Sequence, residues 1–186
     1  FPGEVYHAPF PIDYHGVSVG DSLAALHNLF KVDIAPSDVA AIIVEPVQGV
    51  AGAYDLSPEF LATLRRCSQQ NGVLLIADEV QSGMGRTGHF FGVQAHGVRP
   101  DILTSAKALG GGVPCGAILC TEDVAAHFGP GDLGSTFGGG PLAAAAIVAV
   151  IDTIERPTIV RAVAPSRCSV TRTWLILISS ASAISR

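Results

Sequence analysis

The chain has 186 residues and a formal net charge of −5. That length suffices for one sizeable core, and the sign excludes a nucleic-acid or anionic-membrane partner, since either needs a basic face to displace counterions. With 48% hydrophobic and 15% charged residues it reads as a globular domain rather than a disordered tract. The longest apolar runs, 142–151 and 174–178, are too short to span a bilayer, and no basic stretch followed by an apolar one opens the chain. Cys67, Cys115, Cys120 and Cys168 form no CxxC pair and the histidines lack metal-ligand spacing, so no metal is expected and the thiols read as free in a reducing cytoplasm.

Residues 1–20 carry three prolines and several aromatics without periodicity, which predicts an extended loop. A helix follows, with Asp21 or Ser22 as N-cap and Leu23, Leu26, Leu29 and Phe30 at helical spacing. Val39 to Val44 is a short β-branched run, predicted to be a buried strand ending at Glu45-Pro46. Ser57 and Pro58 are the N-cap and first residue of a second helix, which has Phe60, Leu61, Leu64 and Cys67 on one face and stops at Gly72. Val73 to Ala77 is the next strand and runs into Asp78 and Glu79. Ile102 to Ala106 leads to Lys107, and Val113 to Cys120 reads as a further strand. Thr121 opens a helix that Gly129-Pro130-Gly131 stops, and Pro141 starts another to about Glu155, apolar nearly all round and expected to be buried.

Strand, helix, strand alternation predicts an α/β fold, a mainly parallel sheet with helices on both faces, because parallel strands need long crossovers. Such sheets bind ligands outside the carboxyl ends of their strands. Glu45, Asp78 and Lys107 all arrive at that edge. An acid and a lysine on one rim also suit a plain ion pair capping two strands, so the position alone does not decide. Gly83 to Gly88 spells GxGxxG, a dinucleotide fingerprint, but Glu79 to Ser82 separate it from the strand and no acidic residue stands at a strand end about twenty residues on. A nicotinamide oxidoreductase is therefore only an alternative.

DEVQSGMGRTG at 78–88 followed by PDILTSAKALGGG at 100–112 resembles the signature of the class III aminotransferases, pyridoxal-phosphate enzymes of fold type I. EPVQG at 45–49 and STFGGGPLA at 135–143 are similar to two further motifs of that family, the second with Gly140 in place of its usual asparagine. The resemblance implies that Lys107 joins covalently to the aldehyde of pyridoxal 5'-phosphate and then moves protons in transamination. It further implies that Asp78 keeps the pyridine nitrogen protonated, that Val80 packs on the ring and that Gln81 bonds the ring hydroxyl. Thr136, supported by Ser135, would bind the cofactor phosphate of a neighbouring subunit in a homodimer. Glu45 would lie in the substrate pocket, where it can pair with an arginine. The amine needs a depressed pKa and a fixed position. Reactants would be a small-molecule amino donor, of 4-aminobutyrate or acetylornithine type, and a 2-oxo acid. The family often continues EPVQG with Gly-Glu-Gly-Gly; here Gly49-Val50-Ala51-Gly52 lacks that carboxylate.

The family is about twice this long, so the resemblance implies a partial large domain over residues 1–156. From 157 to 186 the chain is rich in Ser and Arg and has no acidic residue, as a shifted reading frame would give. A second reading of the whole is a non-catalytic, truncated remnant, whose bare sheet edge and dimer face would aggregate.

Overall fold

The computed structural model describes residues 4–156 and the backbone of 174–178. Residues 157–173 and 179–186, which make up most of the stretch rich in Ser and Arg and include Cys168, lie outside the described residues.

Helix α1 (Val19–Asn28) starts three residues earlier than its leucine spacing predicts. Ser18 is the N-cap: its Oγ accepts from Asp21 N, and the Asp21 carboxylate accepts from the Ser18 backbone N–H and hydroxyl, a reciprocal capping box that outranks Asp21 or Ser22 as the cap. Strand β1 (Ala41–Val44) follows, then a two-stranded antiparallel hairpin, β2 (Val47–Gln48) and β3 (Tyr54–Asp55), around a single helical turn α2 (Gly49–Gly52). Helix α3 (Pro58–Asn71) begins at the predicted Ser57 cap, whose hydroxyl accepts from Phe60 N, and ends at Gly72 with φ 68. Strands β5 (Ile102–Ser105) and β6 (Gly116–Cys120) lie inside the predicted runs, and β4 (Leu74–Asp78) ends one residue beyond its run. Short helix α4 (Glu122–Ala125) is capped by Thr121, and α5 (Pro141–Ile154) opens on its proline as expected. Strand β7 (Trp174–Ile178) completes the sheet.

The order is β1-β4-β5-β6-β7, with β1 parallel to β4 and β4 parallel to β5, while β6 runs antiparallel to both β5 and β7. Four of five strands thus point one way, the mainly parallel α/β sheet expected. Register places Ile42, Leu75, Leu103 and Leu119 on one face, together with Val44, Ala77, Ser105 and Ala117. Against it α3 packs Phe60, Leu61 and Leu64, and α1 adds Leu26. A second cluster joins Met84, Leu109, Ala117 and Ile147 of α5. Each fully buried leucine or phenylalanine contributes about 1.5–3 kcal/mol relative to exposure.

Helix α5 departs from expectation. Only Ala143 and Ile147 are buried, whereas Leu142 is 75% and Val148 56% exposed, because among the described residues the helix meets protein on one stripe. Apolar composition does not itself supply a covering surface. Segment 79–91 is a chain of turns in which Met84 (φ 59) and Gly85 (φ 83) are left-handed and no helix opens. The strand, tight turn and helix that a dinucleotide fingerprint requires are not formed. No helix among the described residues is long and apolar enough to cross a membrane.

Candidate active site

Three adjacent parallel strands, β1, β4 and β5, end at one rim, and each delivers a charged residue there: Glu45 just past β1, Asp78 at the end of β4 and Lys107 just past β5. Asp78 lies opposite Thr104 in the register, on the face away from the two buried clusters. Its Oδ1 accepts from Thr104 Oγ1 and from Val80 N, both at 3.0 Å. Oδ2 has no protein donor among the described residues, so a half-buried carboxylate is held by one oxygen and offers the other. The Thr104 contact was not foreseen; the one signal in the sequence was a hydroxyl in the strand that precedes Lys107.

Lys107 opens a 3-10 turn (Lys107–Gly110) with its backbone at φ 49, an uncommon conformation for a side-chain-bearing residue. Strain of this kind persists only where surrounding packing over-determines it. Here the turn sits beneath α5: a Cβ on Gly111 would come within 3.0 Å of Val150, and one on Gly110 within 2.5 Å of the Cys115 sulfur. The Lys107 amine donates to Gln81 Oε1. The residue is exposed. Clefts of about 420 Å³, lined by Leu23, His27 and Lys31 among others, and about 210 Å³, beside Tyr14 and Tyr54, do not include Asp78, Gln81 or Lys107. At the rim Asp78 and Gln81 are half-buried and Lys107 is exposed.

Gln81 is positioned in turn by Gly49. A Cβ there would fall 2.5 Å from Gln81 Cγ and 3.3 Å from its Cβ, so only glycine lets the glutamine lie across the α2 turn. The Gly49 backbone N–H donates to Glu45 Oε2 at 3.1 Å, which ties the β1 carboxylate to the same group of residues. Glu45 pairs with no arginine among the described residues. Val80 is half-buried two residues beyond Asp78. Ser135 and Thr136 are exposed in the turn before α5, on a different segment from the rim triad.

This donor set fits an aromatic aldehyde cofactor with a protonated ring nitrogen: a primary amine, an amide beside it and a carboxylate with one oxygen to spare. Cys67, Cys115 and Cys120 are free, and burial raises each thiol above its ordinary pKa, with Asn71 partly offsetting this at Cys67, so none is set up as a nucleophile.

The family profile described as aminotransferase class III matches residues 1–174. The 4-aminobutyrate aminotransferase GabT of Escherichia coli K12 is 44% identical over 160 residues, 86% of this chain and 38% of that protein. Acetylornithine aminotransferase of Methanopyrus kandleri is 57% identical over 117 residues, 63% of this chain and 30% of that protein. The crystal structure of acetylornithine aminotransferase from Elizabethkingia anophelis superposes with a TM-score of 0.68 at 39% identity, covering 74% of this chain and 36% of that one. The chain therefore spans less than two fifths of the length of these relatives. Matched along nearly its whole length, and with its acid, amide and amine gathered at one sheet edge, the chain belongs to the class III aminotransferases.

Proposed function

We propose that this chain carries the amine-bearing half of a pyridoxal-5'-phosphate-dependent transamination site, and that Lys107 is its catalytic residue. The observation that carries the reading is the convergence of Asp78, Gln81 and Lys107 on the carboxyl edge of β4 and β5. When bound, the cofactor supplies an electron sink and a carrier for the amino group. Lys107 contributes the attaching amine and then a base that moves a proton at the substrate carbon. Asp78 Oδ2 holds the proton of the ring nitrogen, with Thr104 and Val80 N fixing the carboxylate. Gln81 orients the amine and bonds the ring hydroxyl, and Val80 covers one ring face. Ser135 and Thr136 bind phosphate across a homodimer of the complete protein, where backbone N–H groups at the start of α5 favour an anion. Glu45 lines the substrate pocket for a small amino donor of 4-aminobutyrate or acetylornithine type, with a 2-oxo acid as acceptor, in the cytoplasm.

The exposure of Lys107 and of Leu142 supports a second reading, that residues 1–156 are one part of the large domain and that this chain alone holds cofactor weakly or turns nothing over. Adding pyridoxal phosphate to the purified chain and to Lys107→Ala, and following visible absorbance, separates the two. The proposal expects a new band in the parent that is lost in the variant. An equal band in both would reject Lys107, and none in either would favour the second reading. Screening amino donors with a complete protein then distinguishes 4-aminobutyrate from acetylornithine.

A further inference from the structure

We infer that Glu79, the neighbour of Asp78, is a positioning residue for the Lys107 amine and acts through Gln81; the inference rests on the proposed role of Lys107. Strand alternation turns the two adjacent carboxylates to opposite sides. Asp78 lies on the sheet face away from the two buried clusters. Glu79 is only 1% exposed and its carboxylate is fully engaged: Oε2 accepts from Ser82 Oγ at 2.5 Å and Gly92 N at 2.9 Å, and Oε1 accepts from Val93 N at 2.8 Å. Its backbone carbonyl also accepts from Gly83 N at 2.9 Å.

Residues 80 to 82 are therefore fastened at both ends. Asp78 Oδ1 holds Val80 N, while Glu79 holds Ser82 through its hydroxyl and Gly83 through its backbone. The Gln81 side chain leaves this clamp, crossing Gly49 to accept from Lys107 Nζ. The clamp has no slack: a Cβ on Gly83 would stand 2.8 Å from the Glu79 carbonyl oxygen, and one on Gly92 3.3 Å from Glu79 Oε2. A glutamine at 79 would turn an amide donor toward one of the three groups that already donate, and that conflict would release the turn. With the turn released, Gln81 loses its fixed approach to the amine.

The test uses the chain's two lysines, with Lys31 as internal reference for Lys107. Trace acetylation with acetic anhydride, quantified by peptide mass spectrometry, reports the relative reactivity of each amine without any cofactor. Glu79→Gln and Gln81→Ala should each change the Lys107 to Lys31 ratio by about 2- to 10-fold, the equivalent of one lost hydrogen bond. The double variant should change it no further than Gln81→Ala alone, as two residues acting in series require. Amide exchange at Gly92 and Val93 should quicken in Glu79→Gln and not in Gln81→Ala. An additive double variant, or faster exchange at Gly92 and Val93 with the lysine ratio unmoved, would reduce Glu79 to a structural anchor and overturn the inference. Ser82→Ala removes one donor of the three and serves if Glu79→Gln does not fold; an unmoved ratio there also counts against it. Failure of pyridoxal phosphate to attach at Lys107 would overturn the proposed function and leave this ratio readable.

Discussion

The two edges of this sheet use the same residue types for opposite ends. At the amino edge of β4 and β5, Asp101 receives the Arg65 guanidinium through both nitrogens, at 2.6 and 3.0 Å, and the Leu75 backbone N–H at 2.8 Å. This pairing joins α3 to two strands, and each Asp101 oxygen has a donor. At the carboxyl edge Asp78 has one oxygen occupied, and Lys107 touches a neutral amide rather than an acid. An acid with every acceptor filled staples the fold; an acid and an amine kept apart, each with capacity left over, are ready for a ligand. Saturation, more than charge, separates structure from chemistry here.

Breaking the amino edge gives the largest expected effect. Asp101→Asn should lower unfolding free energy by about 2–4 kcal/mol in a urea titration, because Arg65 loses its partner inside a partly buried pair. Cofactor attachment per folded chain should not change. Loss of attachment in parallel with stability would mean that the two edges are not separable. Sharpening the contrast from the other side, Gly49→Ala should cost about 1–3 kcal/mol through overpacking against Gln81 and should weaken cofactor capture beyond its effect on folding, read by comparing urea midpoints with absorbance titrations.

A smaller effect, and a stabilising one, is expected at Ser105, which is 2% exposed with a hydroxyl that has no partner among the described residues. Ser105→Ala removes an unpaired polar atom and should raise stability by about 1 kcal/mol in the same titration. The smallest effect lies at the start of α1. Hydrogen bonds from the Ser18 hydroxyl and then its backbone N–H hold the Asp21 carboxyl below its ordinary pKa. A depressed acid adds stability above its unfolded pKa and loses it as pH falls through the folded one. A melting-temperature series below pH 5 should therefore show an acid-side slope that Ser18→Ala diminishes; an unchanged slope would count against the capping box.

Much of the fold was legible because it depends on local signals: β-branched runs bounded by Gly and Pro, the Ser57-Pro58 start of α3 and the Pro141 start of α5. The Ser18 to Asp21 capping box was also present as SVGD, but leucine spacing drew the start of the helix toward Asp21 and Ser22. Long-range matters were not legible. Nothing in 113–120 says that β6 runs against β5, since a buried run reads alike in either direction. Arg65 with Asp101, and Gln81 with Lys107, meet only through tertiary packing. In the site, the resemblance singles out Asp78, Gln81 and Lys107, and the structure brings them together; it assigns no role to Glu79, Thr104 or Gly49, whose parts are contacts and not motif chemistry. Glu45 joins the rim through Gly49, and Thr136 is exposed in the turn before α5.

Capture of the cofactor aldehyde at the carboxyl edge is proposed to run through Lys107. Its most direct test is to equilibrate the chain with pyridoxal phosphate, fix the product with borohydride and locate the added mass by peptide mapping. The label should fall on Lys107, with Lys31 unmodified at the same cofactor concentration. Equal labelling of both lysines, or labelling of Lys31 alone, would contradict it.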